Sequence, residues 1–251
     1  MLVCIHQPNF LPRAKVLDKM LAADLTIYLD DVQYVPREWQ NRALVKGPQG
    51  APHWLSVPVF TKGKARPPIL ECALADSPVW RRKQVATIRQ SYAKSQWLDL
   101  FDEKLAPLWS KTDGELASFC IGSTERLLSM LDRTVESMRS QDIEDEGTDS
   151  AREEMGLPAV AENVTDAPER RTARLLRLCK AVGATGYLCG SGGITYLRLD
   201  QFTKAGIHVY LQRDPESQLS AWRRMSALDA ILTQGPQSTQ ANLLTGQFDE
   251  L

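Results

Sequence analysis

The opening residues 1–30 carry a strand–helix–strand pattern, which constrains the fold more than any other feature of the chain. Residues 2–5 and 25–29 are short apolar runs of the kind that forms buried strands. In the segment 13–23 between them, one helix face collects Val16, Leu17, Met20 and Leu21. Such a unit pairs its strands in parallel and binds ligands beyond their carboxyl ends. The pattern therefore predicts an α/β fold whose ligand-binding edge holds the segments HQPNFLP and DDVQY.

The later chain supplies further strands, helices and a second strand–turn–helix–strand unit. The predicted strands are 54–59, 69–74, 187–189 and 208–211. The predicted helices are 78–94, 98–109, 115–131 and 168–182, with a short helix after the turn SGG. We expect one α/β domain over residues 1–251, with a mostly parallel sheet, flanking helices and a helical insertion at 76–137. Within that class, a nucleotidyltransferase-like (HUP-type) Rossmannoid is the candidate.

An acidic segment interrupts the pattern at residues 138–155. It contains SQDIEDEGTDSAREE, residues 140–154, in which Ile143 is the only large apolar residue. A segment of this composition cannot bury enough surface to fold alone. We therefore predict an exposed, mobile loop here.

Composition sets the class of protein. The chain has 251 residues, 43% of them hydrophobic, which is enough for an enzyme-sized core. Its formal net charge of −1 neither indicates nor excludes a polyanionic partner. Its five cysteines are dispersed without metal-ligand spacing, which favours reduced thiols over a zinc site. No apolar run approaches the length of a membrane span. We expect a soluble, cytoplasmic protein with no metal, no membrane association and no DNA partner.

His6 is the first candidate for chemistry, because it follows the first strand directly. It can act as a general base or as a donor to phosphate, or it can simply be hydrogen-bonded in a turn. The spacing His6-Gln7-Pro8-Asn9 resembles the HxGH and HxGN signatures of class I nucleotidyltransferases and synthetases. There, two polar side chains meet phosphate at a helix N-terminus.

Two carboxylates and an arginine follow the second strand. Adjacent residues of a strand point to opposite faces, so Asp30 and Asp31 are not expected to serve one site together. One functional carboxylate is the simpler expectation. Arg42, after Asn41, offers a fork suited to carboxylate or phosphate, although a surface salt bridge is the alternative.

The segment CGSGGITYL places glycines between a strand and a helix. Its exposed N–H groups around Gly192, with the hydroxyls of Ser191 and Thr195, can bind an anion, whereas SGG is also a common turn. Cys189 could be a nucleophile, but a buried structural thiol is the better-supported interpretation.

A basic helix face is the last candidate. Its cations are Arg170, Arg171, Arg174 and Arg177. The default interpretation is a solvated face, and the alternative is a docking surface for tRNA or a carrier protein.

Several of these segments together resemble the WbqC-like family: IHQPNFLP, LDDVQYVPREWQNR, WLSVPV and GYLCGSGGITYL, followed by GIHVY. The resemblance spans almost the whole chain. The positions that match the family's motifs are His6, Gln7, Pro8, Asn9, Asp30, Asp31, Gln33, Asn41, Arg42, Ser191, Gly192 and Tyr196. The chain departs from the family pattern at Arg13, where an aromatic is usual, and at Cys189, where serine is usual, so we expect a divergent member.

The resemblance implies a role in O-antigen or specialised metabolite biosynthesis and suggests aminoacyl (glycyl) transfer. We expect an aminoacyl or acyl transferase that forms an amide on a small acceptor, such as a sugar nucleotide or specialised metabolite, with His6 as general base. The donor would be an aminoacyl-tRNA, an adenylate or a carrier-bound thioester. Two alternatives stay open: an ATP-using nucleotidyltransferase or ligase, and a non-catalytic binding protein of the pathway.

Overall fold

The computed structural model describes residues 1–110, 114–143, 168–213, 224–243 and 248–251, and it confirms an α/β fold. A six-stranded sheet forms the centre of the molecule. Its strands are β1 (Leu2–His6), β2 (Leu25–Tyr28), β7 (Ser137–Arg139), β8 (Gly186–Cys189), β9 (His208–Gln212) and β10 (Phe248–Glu250). The order across the sheet is β10-β9-β8-β1-β2-β7, and every neighbouring pair is parallel except β9 with β10.

This order is that of a doubly wound sheet. From β1 the chain moves outward to β2 and β7, and it then returns to the other side of β1 to add β8 and β9. The strand order therefore reverses between β1 and β8, and in open α/β sheets the crevice for ligands lies at such a switch point. The mostly parallel sheet predicted from the sequence is confirmed.

Helices cover both faces of the sheet. The α-helices are α1 (Ala14–Ala22), α2 (Pro78–Ser91), α3 (Leu98–Leu100), α4 (Leu116–Met130), α5 (Pro168–Ala181), α6 (Leu199–Lys204), α7 (Ala227–Gln234) and α8 (Pro236–Leu243). Side chains of β1 alternate between two apolar cores: Cys4 joins α1, α4 and α7, whereas Val3 and Ile5 join α5 and α6. This alternation places His6 on the same face as Cys4, which is the face that α1 covers.

Small sheets and turns complete the described structure. Two hairpins pair β3 (Arg42–Lys46) with β4 (Pro52–Ser56), and β5 (Val59–Phe60) with β6 (Ala73–Leu74). Single turns occur at Ile69–Glu71, Phe101–Leu105, Ala106–Ser110 and Ser140–Asp142. Ser77 caps α2 by accepting a hydrogen bond from Val79 N, with Pro78 in the first turn.

The structure differs from the sequence prediction in the acidic segment. Residues 144–155 of the predicted mobile loop lie outside the described residues, but its beginning is ordered. Met138 and Arg139 belong to β7, which pairs with β2 through Ile27 and Tyr28. A strand this short and polar carries no periodic signal, so only its partner strand reveals it. Among the described helices, none has both the length and the apolar character needed to cross a membrane.

Candidate functional site

The switch point lies at the sheet edge between residues 6–9, at and beyond the end of β1, and residues 190–193, which follow β8; we call this edge the switch-point crevice. Cys4 pairs with Leu188, so continuing the parallel register brings Gly190 opposite His6. Adjacent strands lie about 4.8 Å apart. The segments HQPN and SGG, predicted separately as anion-binding candidates, therefore lie side by side at the carboxyl edge of the sheet.

A buried lysine and an asparagine hold the imidazole of His6. Lys19 Nζ lies 3.4 Å from His6 Nδ1 and donates also to Ile5 O at 3.4 Å. On the other side of the ring, His6 Nε2 lies 3.1 Å from Asn9 Oδ1. An ammonium can only donate, so Nδ1 accepts, and Nε2 must carry the proton that Asn9 Oδ1 receives. The contacts thus fix both the tautomer of His6 and the orientation of the Asn9 amide.

The surroundings of His6 keep it neutral. Burial, followed by the Lys19 ammonium, lowers its pKa from 6.5 to about 3, although the bond to Asn9 opposes this shift. Lys19 itself is only 4% exposed, and no carboxylate of the described residues is paired with it. At neutral pH the imidazole is therefore uncharged and the nearest fixed charge is the lysine's.

Tertiary bonds hold the loop after His6 in one conformation. Leu11 has φ 42°, and its N–H donates to Ser123 Oγ at 2.9 Å. Phe10 N–H donates to Trp39 O at 3.0 Å, and Gln40 Nε2 donates to Gln7 Oε1 at 2.8 Å. A leucine in the left-handed region is sterically unfavourable and persists where its surroundings impose it. Gln7 is thus an anchor between two loops.

The acidic pair after β2 converges on one hydroxyl, contrary to the expectation that the two carboxylates point apart. Ser140 Oγ lies 3.0 Å from Asp30 Oδ1 and 2.7 Å from Asp31 Oδ1. The expectation assumed regular strand geometry, whereas β2 ends at Tyr28. Beyond the strand, the alternation of side chains no longer holds.

The two carboxylates differ in access. Asp30 is fully buried and forms an ion pair with Arg139, whose Nη2 also contacts Glu115 Oε1 at 2.6 Å. Asp31 keeps 28% of its side chain exposed and pairs with Arg174. Asp31 is therefore the carboxylate of this pair that a substrate can reach.

The basic face of α5 is only partly solvated. Arg170, Arg174 and Arg177 are half-buried, while Arg171 is exposed and its guanidinium lies 5.1 Å from the centre of the Tyr196 ring. Arg174 turns inward to Asp31. The arginines predicted as one solvated face thus differ in exposure, and Arg174 forms an ion pair.

The turn after β8 is open to solvent. Ser191, Gly192 and Thr195 are exposed, and Thr195 Oγ1 donates to Gly192 O at 3.2 Å. Residues 191–196 form turns, and the short helix predicted after SGG begins at Leu199. Cys189 is fully buried, which raises its pKa to about 11 and keeps the thiol neutral.

Three predicted site residues lie outside the crevice. The Asn41 amide serves its own hairpin, accepting from Arg37 N at 3.1 Å and donating to Val57 O at 3.0 Å. Gln33 is exposed and bridges to Pro68. Arg42 begins β3, and its guanidinium stacks on Trp54.

Sequence reasoning missed Lys19, Ser140 and Arg139. Lys19 offered one signal: it stands in a short helix between the apolar residues Leu17 and Met20. The other two lay within the segment interpreted as a mobile loop. No group of three or more histidine, cysteine or acidic side chains among the described residues has the arrangement of a metal site.

Comparison with known proteins places this geometry in a family. The profile of the WbqC-like protein family matches residues 7–241. The chain is 28% identical over 210 residues to the uncharacterized protein Rv1507c of Mycobacterium tuberculosis, covering 82% of this chain and 80% of that protein. No solved structure matches the chain. The chain therefore belongs to the WbqC-like protein family.

Proposed function

We propose that the chain is an aminoacyl or acyl transferase that forms an amide on a small biosynthetic intermediate in the switch-point crevice. The observation that carries the proposal is the sequence of contacts from Lys19 through His6 to Asn9. Because Asn9 Oδ1 receives the His6 proton, its Nδ2 is left as a donor, with no acceptor among the described residues. A fixed donor of this kind can stabilise the oxyanion that forms during acyl transfer.

In the proposed reaction, the amine of the acceptor attacks the carbonyl carbon of an activated ester or thioester. A C–N bond forms, the C–O or C–S bond breaks, and one amine proton passes to the leaving oxygen or sulfur. Asn9 Nδ2 and the first N–H groups of α1 stabilise the negative oxygen of the tetrahedral intermediate. One such donor is worth about 3 kcal/mol. Asp31 is the accessible carboxylate that can hold the acceptor ammonium before that ammonium gives one proton to solvent and becomes the attacking amine.

His6 acts in this proposal as a positioning residue. The general-base role predicted from the sequence stays a prediction, and it requires a free lone pair on the ring. In the structure Nδ1 accepts from Lys19, and a pKa of about 3 makes the imidazole a weak base at neutral pH.

The family resemblance supports a small acceptor such as an amino-sugar nucleotide or specialised metabolite, and an aminoacyl donor. On α5, the exposed Arg171 suits a polyanionic donor such as tRNA or an acidic carrier protein. Arg174 contributes less, since Asp31 already neutralises it.

The test is transfer of labelled glycine from glycyl-tRNA, or from a carrier-bound thioester, to amino-sugar nucleotides. We expect an alkali-resistant amide product whose formation is lost in Asn9→Ala and kept in Asn242→Ala, an exposed asparagine on α8. Failure of every donor, or full activity of Asn9→Ala, would overturn the proposal.

A second candidate is an ATP-using nucleotidyltransferase or ligase. The doubly wound strand order favours it, because nucleotides bind at the switch point of such sheets, next to the HQPN segment. It predicts ATP- and magnesium-dependent release of pyrophosphate without any tRNA. Absence of nucleotide binding by calorimetry would rule it out.

A further inference from the structure

A ladder of two indoles and two guanidiniums runs across the surface beside the crevice. Arg13 Cζ lies 4.3 Å from the centre of the Trp39 ring, and Arg42 Cζ lies 4.1 Å from the centre of the Trp54 ring. The two indoles contact each other, with centroids 5.2 Å apart and planes tilted by 54°. We call these four residues the tryptophan–arginine ladder. The two indoles form its middle, and one guanidinium lies at each end.

The β3–β4 hairpin builds the outer half of the ladder. Arg42 pairs with Ser56 and Leu44 pairs with Trp54 in the antiparallel register. Arg42 and Trp54 are therefore diagonal neighbours on one face of the hairpin, within reach of long side chains. The opposite face buries Ala43, Val45 and Leu55 in the core. The outward direction of the ladder thus follows from the alternation of the two strands.

At the outer end of the ladder, an aromatic ring is exposed and a guanidinium N–H has no hydrogen-bond partner among the described residues. Trp54 keeps 38% of its surface exposed. Arg42 Nε is buried without a hydrogen-bond acceptor, and no carboxylate of the described residues pairs with this guanidinium. A buried N–H of a charged group normally has a partner. Its absence, on a guanidinium that lies over an exposed ring, points to an anionic ligand.

The sequence segment that carries Trp39 and Trp54 is rich in cations, although the whole chain has a net charge of −1 and Lys64 of this segment pairs with Glu71. Glu38 is the single acid between residues 32 and 70. The same stretch contains the cations Arg37, Arg42, Lys46, Lys62, Lys64 and Arg66. A basic surface with exposed aromatic rings is the combination that binds single-stranded nucleic acids.

The inner end of the ladder reaches the switch-point crevice. Arg13 is the residue that precedes α1, and Trp39 O accepts a hydrogen bond from Phe10 N at 3.0 Å. Asn9, the proposed oxyanion donor, is the neighbour of Phe10. A chain lying along the ladder would therefore end at the crevice.

We propose that the tryptophan–arginine ladder binds the single-stranded 3′ end of an RNA. Bases stack on the two indoles, and phosphates contact Arg13 and Arg42. The inference rests on the proposed function, and it names aminoacyl-tRNA as the donor. A carrier-bound thioester presents one phosphate on a flexible arm without an aromatic base, and so it leaves the indoles unused.

The test measures binding without chemistry. The probe is a fluorescently labelled single-stranded RNA that ends in CCA. Its binding is measured by fluorescence anisotropy at several salt concentrations. We expect Trp54→Ala to weaken binding at least about fivefold, since one stacked base contributes that much or more. Trp54→Phe, which keeps a ring, should bind with intermediate affinity. Arg42→Gln should weaken binding and lower the slope of log affinity against log salt by about 0.7, the value for one lost phosphate contact.

The controls change the same residue types away from the ladder. Phe60→Ala removes a 60% exposed aromatic of the neighbouring hairpin, and Arg89→Gln removes an arginine paired with Asp102; both should bind RNA like the wild type. No RNA binding, or equal binding by Trp54→Ala, Arg42→Gln and the controls, would overturn the inference. So would loss of carrier-protein binding, rather than RNA binding, in Trp54→Ala.

The inference and the proposed function can fail separately. Asn9→Ala should keep full RNA affinity while losing transfer. RNA binding on the ladder without any glycyl transfer would refute the proposed function alone. Transfer from glycyl-tRNA with an unchanged KM for tRNA in Trp54→Ala would refute the ladder alone.

Discussion

Lys19 Nζ donates to Nδ1 of His6 at 3.4 Å, and this contact decides which nitrogen of the imidazole carries the proton. A buried lysine beside a half-buried histidine is an arrangement of two potential cations. The imidazole is the group that becomes neutral, because an ordinary histidine loses its proton at a much lower pH than an ordinary lysine. The ring then becomes a neutral link between the ammonium and Asn9.

Replacing Lys19 with methionine should raise the pKa of His6. Burial is the larger cause of the lowered pKa and the Lys19 charge is the second, so the pKa should rise yet stay below 6.5. The measurement is an NMR titration of the ring nitrogens, which also reports the tautomer. Lys15→Met is the matched control, since Lys15 contributes least among the named causes. An unchanged titration in Lys19→Met would show that the two groups are not coupled.

The neutral state of His6 should make stability depend on pH. Its pKa is 6.5 when unfolded and about 3 when folded, so below pH 6.5 the unfolded chain binds the extra proton. Above pH 6.5 the protonation of His6 does not lower the unfolding free energy. As the pH falls from 6.5 toward 3, the unfolding free energy decreases by about 1.4 kcal/mol per pH unit.

His6→Gln isolates this effect, because glutamine can still donate to Asn9 but does not titrate. Between about pH 7.5 and pH 5, the wild type should lose about 2 kcal/mol more unfolding free energy than the variant. Urea denaturation at the two pH values measures the difference. Equal losses in both proteins would place the folded pKa of His6 near its ordinary value.

The sequence predicted where His6 lies but not what it contacts. Periodicity predicted β1, α1 and β2, and the rule for parallel strands then placed HQPNFLP and DDVQY at one edge; that SGG lies beside HQPN became apparent only from the pairing of β1 with β8. The Lys19 contact depends on the rotation of α1 over the sheet, which no local pattern encodes. The Asp30 and Asp31 pair depends on where β2 stops and on Ser140, which is distant in sequence.

One missed strand was within reach of sequence analysis. In RALVK, residues Ala43 and Val45 alternate with longer outward side chains, which is the period of a half-buried strand. By contrast, β7 has three half-buried residues and no such alternation.

Asp30→Asn should destabilise the fold far more than Asp31→Asn. Asp30 is fully buried against Arg139, whose side chain is only 19% exposed. Removing the Asp30 charge leaves part of this guanidinium uncompensated, so we expect the unfolding free energy to fall by about 3 kcal/mol. Asp31 and Arg174 are 28% and 29% exposed, and their pair should contribute less than about 1 kcal/mol. Urea denaturation at neutral pH measures both. Similar losses would mean that solvent reaches the Asp30 site.

Gly235→Ala should disrupt the junction between α7 and α8. Gly235 has φ 91°, and a Cβ there would lie 2.3 Å from Trp97 Cζ2, so both the backbone and a packed indole must shift. We expect a loss of more than about 2 kcal/mol, combining strain with overpacking. Gly183→Ala is the control, because its φ is 68° but nothing lies within 4 Å of the added methyl. It should cost only about 1 kcal/mol for the left-handed backbone. Thermal unfolding measures the stability of both variants. Equal stability would show that Trp97 moves aside freely, whereas a lower stability of Gly235→Ala measures how firmly α7 and α8 hold that ring.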